Sequence, residues 1–367
     1  MTDMLTGALV IAGIGSILAL LLEISASYIA DYGERHILVN EKKDLKVTGG
    51  SPLLFTLMSQ NIFVPSACGG KGTCTECKVR VLEGAGAPLP TEIPYLSKEE
   101  LENDVRLSCQ VKVKEDMKIE IDEALFLIRE YRARVQKIVQ LTEDIKGIDL
   151  EIISPEDGIT FKSGQYVQLQ VPPYKFSSTS EYRAYSIASS ADDHQHVELV
   201  IAKVEGGIVS TYVHDYLKEG DEVTIRGPFG EFYLRESHRD ILLVATGSGL
   251  APVMSILHQI RREDIHRKTT LFFGDRSPHD LYFTDQIRKC EESMDHFTFV
   301  PVLSRVTEAD GWEGEQGRVT DLIKKYIPDN DQIDVYLCGS PAMVDSSAQL
   351  LSKKGIPEAH VFYDKFE

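Results

Sequence analysis

The stretch CGGKGTCTECK, residues 68–78, holds three of the chain's six cysteines, and RLSCQ brings a fourth, Cys109, 32 residues after Cys77. Four thiolates in a three-plus-one grouping form the donor set of a 2Fe-2S cluster, because a loop folded round the cluster most easily supplies three ligands together. Gly69, Gly70 and Gly72 separate the first two cysteines. Without a Cβ they let the backbone close in and turn amide N–H groups toward the cluster sulfurs. Cys68, Cys74, Cys77 and Cys109 are therefore the expected metal ligands. A zinc site more often pairs two short CxxC-like units, and only one is present. A disulfide framework belongs to small secreted chains, whereas this one has 367 residues and leaves Cys290 and Cys338 without evident mates.

Around this loop the pattern is that of a β-grasp unit, expected over residues 31–129. HILVNEKKDLKVTGG reads as two strands with period-two alternation, SPLLFTLMSQN as a short amphipathic helix, and KVRVLEG as a further strand. An acidic helix from Ser97 to Asn103 opens on an SKEE cap, and CQVKVKEDMKIEI reads as closing strands. Ahead of this unit, Met4 to Leu22 carries no charge over 19 residues, roughly 28 Å of helix, enough to cross a bilayer. No Lys or Arg precedes it, which argues against a cleaved signal peptide. Arg35, Lys42 and Lys43 follow it, so residues 1–30 are expected to be a single-pass anchor in the cytoplasmic membrane with the bulk of the chain on the cytoplasmic side. Small residues such as Gly7, Gly13 and Gly15 suit packing against other membrane helices. The formal charge of −18 excludes nucleic acid as a partner, since a phosphate backbone is repelled.

Downstream, six strand-like runs from RARVQKIVQLT to DEVTIRGPFG, with one helix VSTYVHDYL, indicate an antiparallel barrel over 130–237. From residue 238 strands alternate with helices, which means a doubly wound parallel sheet. Both carry nucleotide signals. In the barrel, Arg183, Tyr185 and Ser186 of RAYS precede GGIVST, a helix start whose free N–H groups and dipole favour phosphate, and then GPFGEF. A flavin dinucleotide needs such an anion site, a cation beside it and an aromatic against its ring. In the α/β unit, ATGSGLAP puts Gly247 and Gly249 at the turn from a buried strand into a helix, where a dinucleotide pyrophosphate rests. CGSPAM puts Cys338 and Gly339 at the carboxyl edge of the sheet, although Cys338 also suits a buried small apolar position.

The succession RAYS, GGxxS, GPFGEF, a Gly-rich turn with Pro252, FFGDR, DLYF and CGSP resembles the ferredoxin-NADP reductase superfamily over residues 130–367. With the ferredoxin-like unit and the apolar N-terminus added, the whole chain resembles the F subunits of sodium-translocating NADH:quinone oxidoreductases. The resemblance implies FAD and a 2Fe-2S cluster as cofactors, NADH as substrate, membrane redox subunits as partners, quinone as final acceptor and a link to sodium transport. It implies that Arg183 meets the FAD pyrophosphate, Tyr185 the flavin or ribityl, Ser186 the flavin N5 region, and Gly207 and Ser210 the phosphates. Gly247, Gly249 and Pro252 would frame NADH, with Asp275 and Arg276 at its adenosine half and Cys338 and Gly339 toward the nicotinamide. Phe366 of the tail YDKFE would cover the isoalloxazine until nicotinamide displaces it, so Ser186, Cys338 and Phe366 are the expected catalytic group. Between QYVQLQVPP and RAYS the chain has only YKFSSTSEY, where the family usually carries a much longer insertion. NADPH would call for a basic cluster; Arg276 alone is offered, no such cluster follows it in the chain, and NADH is expected. A reductase feeding a soluble oxygenase is the rival reading, and a docking protein with degenerate cofactor sites is a third.

Overall fold

The computed structural model describes residues 12–18, 32–330 and 332–366. The chain divides into two compact units, Met1–Ile128 and Arg129–Glu367. Residues 12–18 are helical (α1). The rest of the expected anchor, Met4 to Leu22, lies outside the described residues, and among the described residues no helix is long and apolar enough to cross a membrane.

The first unit runs β1 (Glu34–Val39), β2 (Lys43–Thr48), α2 (Leu53–Ser59), β3 (Lys78–Glu83), α3 (Lys98–Glu102), β4 (Val105–Leu107) and β5 (Met117–Glu120). Its sheet has the order β2-β1-β5-β3-β4, with β1 parallel to β5. Alternation puts Ile37, Val39, Leu45 and Val47 on one face, where they share a core with Leu53, Leu54 and Leu57 of α2. Helix α3 starts where its cap dictates, with Ser97 and Glu100 bonding reciprocally. The first of the expected closing strands does not form. Residues 110–116 make only an isolated antiparallel bridge, Lys112 opposite Pro52, because the backbone of Val111 and Val113 bonds to Gly50, Ser51 and Leu53 at the entry to α2 and joins no strand of the sheet.

The second unit opens with β6 (Arg129–Gln140), β7 (Ile145–Ser154), β8 (Tyr166–Val171), β9 (Glu181–Ser186), β10 (His196–Ala202), α4 (Ile208–Asp215) and β11 (Glu222–Phe229). These strands pair in the order β10-β7-β6-β11-β8-β9, and an antiparallel bridge from Ile187 to Leu199 joins the two ends into a barrel. It continues with β12 (Asp240–Thr246), α5 (Leu250–Arg262), β13 (Thr269–Asp275), α6 (Thr284–Ser293), β14 (Phe297–Leu303), β15 (Glu315–Gln316), α7 (Val319–Tyr326), β16 (Ile333–Gly339), α8 (Pro341–Lys353) and β17 (Val361–Lys365). The sheet is β15-β14-β13-β12-β16-β17, with every pairing parallel. Strand β12 is apolar on both faces because both are covered: Leu243 and Ala245 enter one core, Leu242 and Val244 the other. Its neighbours β13 and β16 lie on opposite sides, so the chain reverses direction across the sheet at β12. Ligands bind outside the carboxyl ends of strands at such a switch point.

Candidate functional site

The four cysteines of the first unit meet as two pairs. The Cys74 thiol donates to Cys68 Sγ at 3.4 Å, which draws the Cys68 thiol down to about 3 and pushes Cys74 well up. Cys77 and Cys109 share a proton in the same way, with Cys109 drawn down to about 7 and Cys77 raised. Among the described residues no three His, Cys, Asp or Glu side chains gather as they would round a single metal ion. Pairing two by two is what a two-iron cluster asks of its ligands, so the donor set fits 2Fe-2S. The loop is tight at Gly72, φ +81°, where a Cβ would sit 2.6 Å from Gln110 Nε2. That amide donates to Cys109 Sγ at 3.6 Å. Ser108 ties the last ligand to the third, its N–H and its Oγ both donating to Cys77 O at 2.9 Å.

Three residues before Cys109, Arg106 makes a buried ion pair with Glu92. The pair is fully employed. Glu92 also accepts from the N–H groups of Leu89 and Leu107, at 2.9 and 3.3 Å, and Arg106 donates to Gly86 O at 2.9 Å. It straps the 84–92 loop to the strand that delivers Cys109.

In the barrel, Arg183 and Tyr185 lie on one face of β9 and Ser186 on the other. Tyr185 packs on the barrel core, and burial pushes its phenol far up. Arg183 is held near Glu181, at 3.6 Å, and donates to Tyr182 O at 2.6 Å. Gly207 is the N-cap of helix α4, whose first-turn N–H groups offer an anion site. Ser210 is turned into the loop: its hydroxyl accepts from Val204 N at 3.2 Å and donates to Gly207 O at 3.5 Å. The cation, the aromatic and the helix start fit a flavin dinucleotide; the Ser210 hydroxyl shapes the loop that carries them.

The C-terminal strand β17 was missed in the sequence. It lies parallel to β16 with Asp364 opposite Cys338, and the Phe366 N–H donates to Gly339 O at 2.9 Å. Phe366 is thereby fixed at the carboxyl edge and packs on the core. Asp364 accepts from Ser186 Oγ at 3.4 Å. Cys338 has no exposed surface, and burial raises its thiol well above its ordinary range, with the Asp364 charge adding to the effect. It lies in the core at this edge, in register with Asp364.

A cleft of about 560 Å³ runs along this edge, lined by Gly247, Asp275, Arg276, Gly339 and Phe366 together with Ser248, Ser304, Arg318 and Ser340, which the sequence did not single out. Gly249 and Pro252 are buried under it. A Cβ on Gly249 would stand 2.4 Å from Cys338 O. The Tyr282 hydroxyl donates to Gly247 O at 2.8 Å and fixes the turn. Burial lifts the Asp275 carboxyl to about 6, although the Arg276 N–H donates to it at 2.9 Å. A larger, more open depression of about 680 Å³ at the β14–β15 edge, near Arg288 and Trp312, gathers none of these residues. The cleft on β12 has the glycine turn, helix start and depth of a dinucleotide site.

Three family descriptions match in succession: 2Fe-2S iron-sulfur cluster binding domain at residues 38–114, oxidoreductase FAD-binding domain at 132–233, and oxidoreductase NAD-binding domain at 243–349. Relatives match over nearly the whole length. The F subunit of the Na(+)-translocating NADH-quinone reductase of Methylococcus capsulatus is 32% identical over 375 residues, 91% of this chain and 92% of that protein. The chain belongs to the family of these F subunits. The F subunit of the Neisseria gonorrhoeae reductase is also 32% identical, over 95% of this chain and 96% of its own length. Among solved structures, the Amycolatopsis cytochrome P450 reductase GcoB superposes with TM-score 0.72 at 28% identity, covering 90% of this chain and 98% of that one. The ferredoxin reductase in carbazole 1,9a-dioxygenase, at 24% identity and TM-score 0.70, shares the fold over 91% of this chain and 99% of its own. This member of the F-subunit family is an NADH oxidoreductase that uses FAD and a 2Fe-2S cluster, with electrons passing in that order.

Proposed function

We propose that the chain is the NADH-oxidising subunit of a respiratory complex of the sodium-translocating type, anchored in the cytoplasmic membrane by one helix over residues 1–30. The cluster then hands electrons to membrane redox subunits, and quinone is the final acceptor. The observation that carries this reading is 32% identity to the Methylococcus F subunit along more than nine-tenths of both chains, and the uncharged stretch Met4 to Leu22 supports the anchor.

When bound, FAD takes two electrons as a hydride and passes them on singly, which lets a two-electron donor feed a one-electron cluster. The protein's share is binding, orientation and proton placement. Arg183 and the α4 N-terminus hold the FAD diphosphate, and Tyr185 lies against the flavin or its ribityl chain. Gly247 and the α5 start hold the NADH pyrophosphate, framed by Gly249 and Pro252 below, with Asp275 and Arg276 at the adenosine half. Ser186 holds a proton at Oγ at the flavin N5 edge and is oriented by Asp364. Phe366 excludes water from that edge until nicotinamide takes its place over Gly339 and Cys338. Cys68, Cys74, Cys77 and Cys109 ligate the cluster.

A second reading is a reductase feeding a soluble metalloenzyme. GcoB, a cytochrome P450 reductase, superposes over 90% of this chain, and the β8–β9 connection is short, Pro172 to Ser180. Extraction of the native protein from membranes, identification of what co-purifies, and assay of sodium-stimulated quinone reduction separate the two. Recovery in the soluble fraction, alone and without sodium response, would sink the membrane reading and leave the electron path intact.

A further inference from the structure

Gly247 lines the cleft with little packed around it. Its φ is +53°, and a Cβ placed on it would meet nothing within 4 Å, so side-chain packing does not fix this turn. Hydrogen bonds do. Its N–H is engaged by the Asp275 carboxylate at the end of β13. Its carbonyl accepts twice, from the Leu250 N–H in the tight turn that opens α5 and from the Tyr282 hydroxyl at 2.8 Å. A turn closed over three residues makes a hydrogen bond of poorer geometry than an α-helix does. Tyr282 adds a second donor from outside the helix.

Tyr282 is itself firmly placed. It is buried, and its ring meets Phe273 and Phe283 edge-on, with centroids 5.6 and 5.0 Å away. Phe283, the N-cap of α6, lies in the left-handed region at φ +57°, which is costly for a residue with a Cβ and persists where the surroundings over-determine it. Burial raises the Tyr282 phenol well above its ordinary range, with the Asp275 charge adding to the effect, so the hydroxyl keeps its proton and stays a donor. The trans peptide between Gly247 and Ser248 is planar, with its C=O and N–H pointing in opposite directions. Holding Gly247 O toward the buried phenol therefore aims the Ser248 N–H the other way, and Gly247 and Ser248 both line the cleft. Reversing that peptide would strand a buried hydroxyl without its acceptor. It would also turn a carbonyl oxygen toward the cleft, where it repels an anion.

We propose that Tyr282 is a positioning residue for the dinucleotide: acting through the Gly247 carbonyl, it keeps the Gly247–Ser248 peptide turned with its N–H toward the cleft, the orientation that receives the pyrophosphate. The inference rests on the reading of the cleft as the nicotinamide dinucleotide site. Tyr282 is not among the residues lining the cleft. Its share is in binding, so its loss shows in the KM for NADH and not in the limiting rate of hydride transfer.

The test uses the full-length protein loaded with FAD and cluster. It measures how NADH-driven bleaching of the flavin is inhibited by ADP-ribose, which carries the pyrophosphate, and by adenosine, which lacks it. Tyr282→Phe removes the hydroxyl and keeps the ring. Because Leu250 still holds the carbonyl, the loss should sit at the lower end of that for a hydrogen bond to a charged group, weakening ADP-ribose about tenfold. Inhibition by adenosine should not change, and the KM for NADH should rise by the same factor as ADP-ribose weakens. Equal weakening of the two inhibitors, or a loss confined to the limiting rate, overturns the assignment whatever the change in Tm. A crystal structure of the unaltered protein with ADP-ribose checks the same point without the variant: Ser248 N within hydrogen-bond distance of a phosphate oxygen is expected, and Gly247 O turned into the cleft overturns the proposal. If ADP-ribose inhibits the altered and unaltered proteins alike, only this inference fails. If it does not inhibit the unaltered protein, the reading of the cleft fails with it.

Discussion

Replacing Gly249 by alanine tests whether the cleft depends on two strand ends lying unusually close. Gly249 has φ −62°, a conformation any residue accepts, so backbone strain is not the issue. Space is. The new Cβ would stand 2.4 Å from Cys338 O, 2.5 Å from Cys338 C and 2.7 Å from Gly339 N. All three are backbone atoms, so no side-chain rotation relieves the contact, and the ends of β12 and β16 must part by roughly 1 Å to reach ordinary separation. Overpacking of this kind costs about 1–3 kcal/mol, and each kcal/mol lowers Tm by about 2–4 °C in a unit of this size. The functional cost is greater, because the end of β16 carries Gly339, which lines the cleft and accepts the Phe366 N–H. Displacing a substrate-positioning element by 1 Å costs on the order of a hundredfold. Stopped-flow bleaching of the flavin by NADH should therefore slow by that order in Gly249→Ala, with cluster absorbance intact. Gly311→Ala is the control: its φ of +57° costs about 1–2 kcal/mol for a side chain, yet its Cβ would meet nothing within 4 Å and it does not line the cleft, so hydride transfer should suffer far less. A Gly249→Ala protein whose bleaching rate is unchanged, or a Gly311→Ala protein that is the slower of the two, refutes the packing argument.

Cys77→Ser should abolish cluster absorbance while FAD stays bound and is still bleached by NADH; loss of flavin reduction as well would contradict the order of the electron path. Glu92→Gln leaves the buried Arg106 charge uncompensated, at about 3–5 kcal/mol, so iron loading of the first unit should fall sharply, and the double change Glu92→Leu with Arg106→Met should recover part of it. Equal loading in Glu92→Gln and the unaltered protein counts against the strap. Gln110→Leu removes the N–H donated to Cys109 Sγ, a bond that favours the more negative reduced state, so the cluster potential in an EPR-monitored titration should become more negative; a potential that stays put or rises denies Gln110 this role. Because burial raises the Asp275 carboxyl from 3.8 to about 6, the folded protein keeps a proton between about pH 4 and 6 that the unfolded chain has lost. Stability from this group therefore declines as pH rises through that window. Calorimetric Tm measured across it should fall less steeply in Asp275→Asn; identical slopes would refute the assignment of that proton to Asp275.

Local chemistry made much of this legible. Cysteine spacing, helix caps and the period of the strands depend on neighbours in sequence, and the Ser97 cap, the β12 run and the Gly247 turn appear where those signals put them. What stayed hidden depends on partners far apart. Val111 and Val113 alternate like a strand, yet the loop before α2 takes their backbone. Ser210 sits at a helix start, as a phosphate ligand should, but finds Val204 and Gly207 closer to hand. The tail YDKFE looked like a short aromatic ending, because nothing local says that it will extend a parallel sheet and bring Asp364 to Ser186. Arg318 stands 42 residues after Arg276 yet lines the same cleft, so a search for basic residues directly after Arg276 in the chain passes over it.

The parallel topology bears on how an acidic protein takes an anionic substrate. At −18 the chain as a whole repels NADH. Beyond about 8–10 Å, however, salt screens that repulsion, and what a nucleotide meets inside the cleft is set by the few groups lining it. There Asp280 accepts from Ser277 and Asp144 from Thr142, while Arg276 and Arg318 line the same cleft. The sheet brings the two arginines together, since it delivers the end of β13 and the start of α7 to one edge. The same edge, on the other side of β12, delivers Gly339, Asp364 and Phe366 toward Ser186. On the function proposed above, one switch point would thus separate the adenosine end of the cleft from the end nearest the flavin, so a change at one end need not disturb the other.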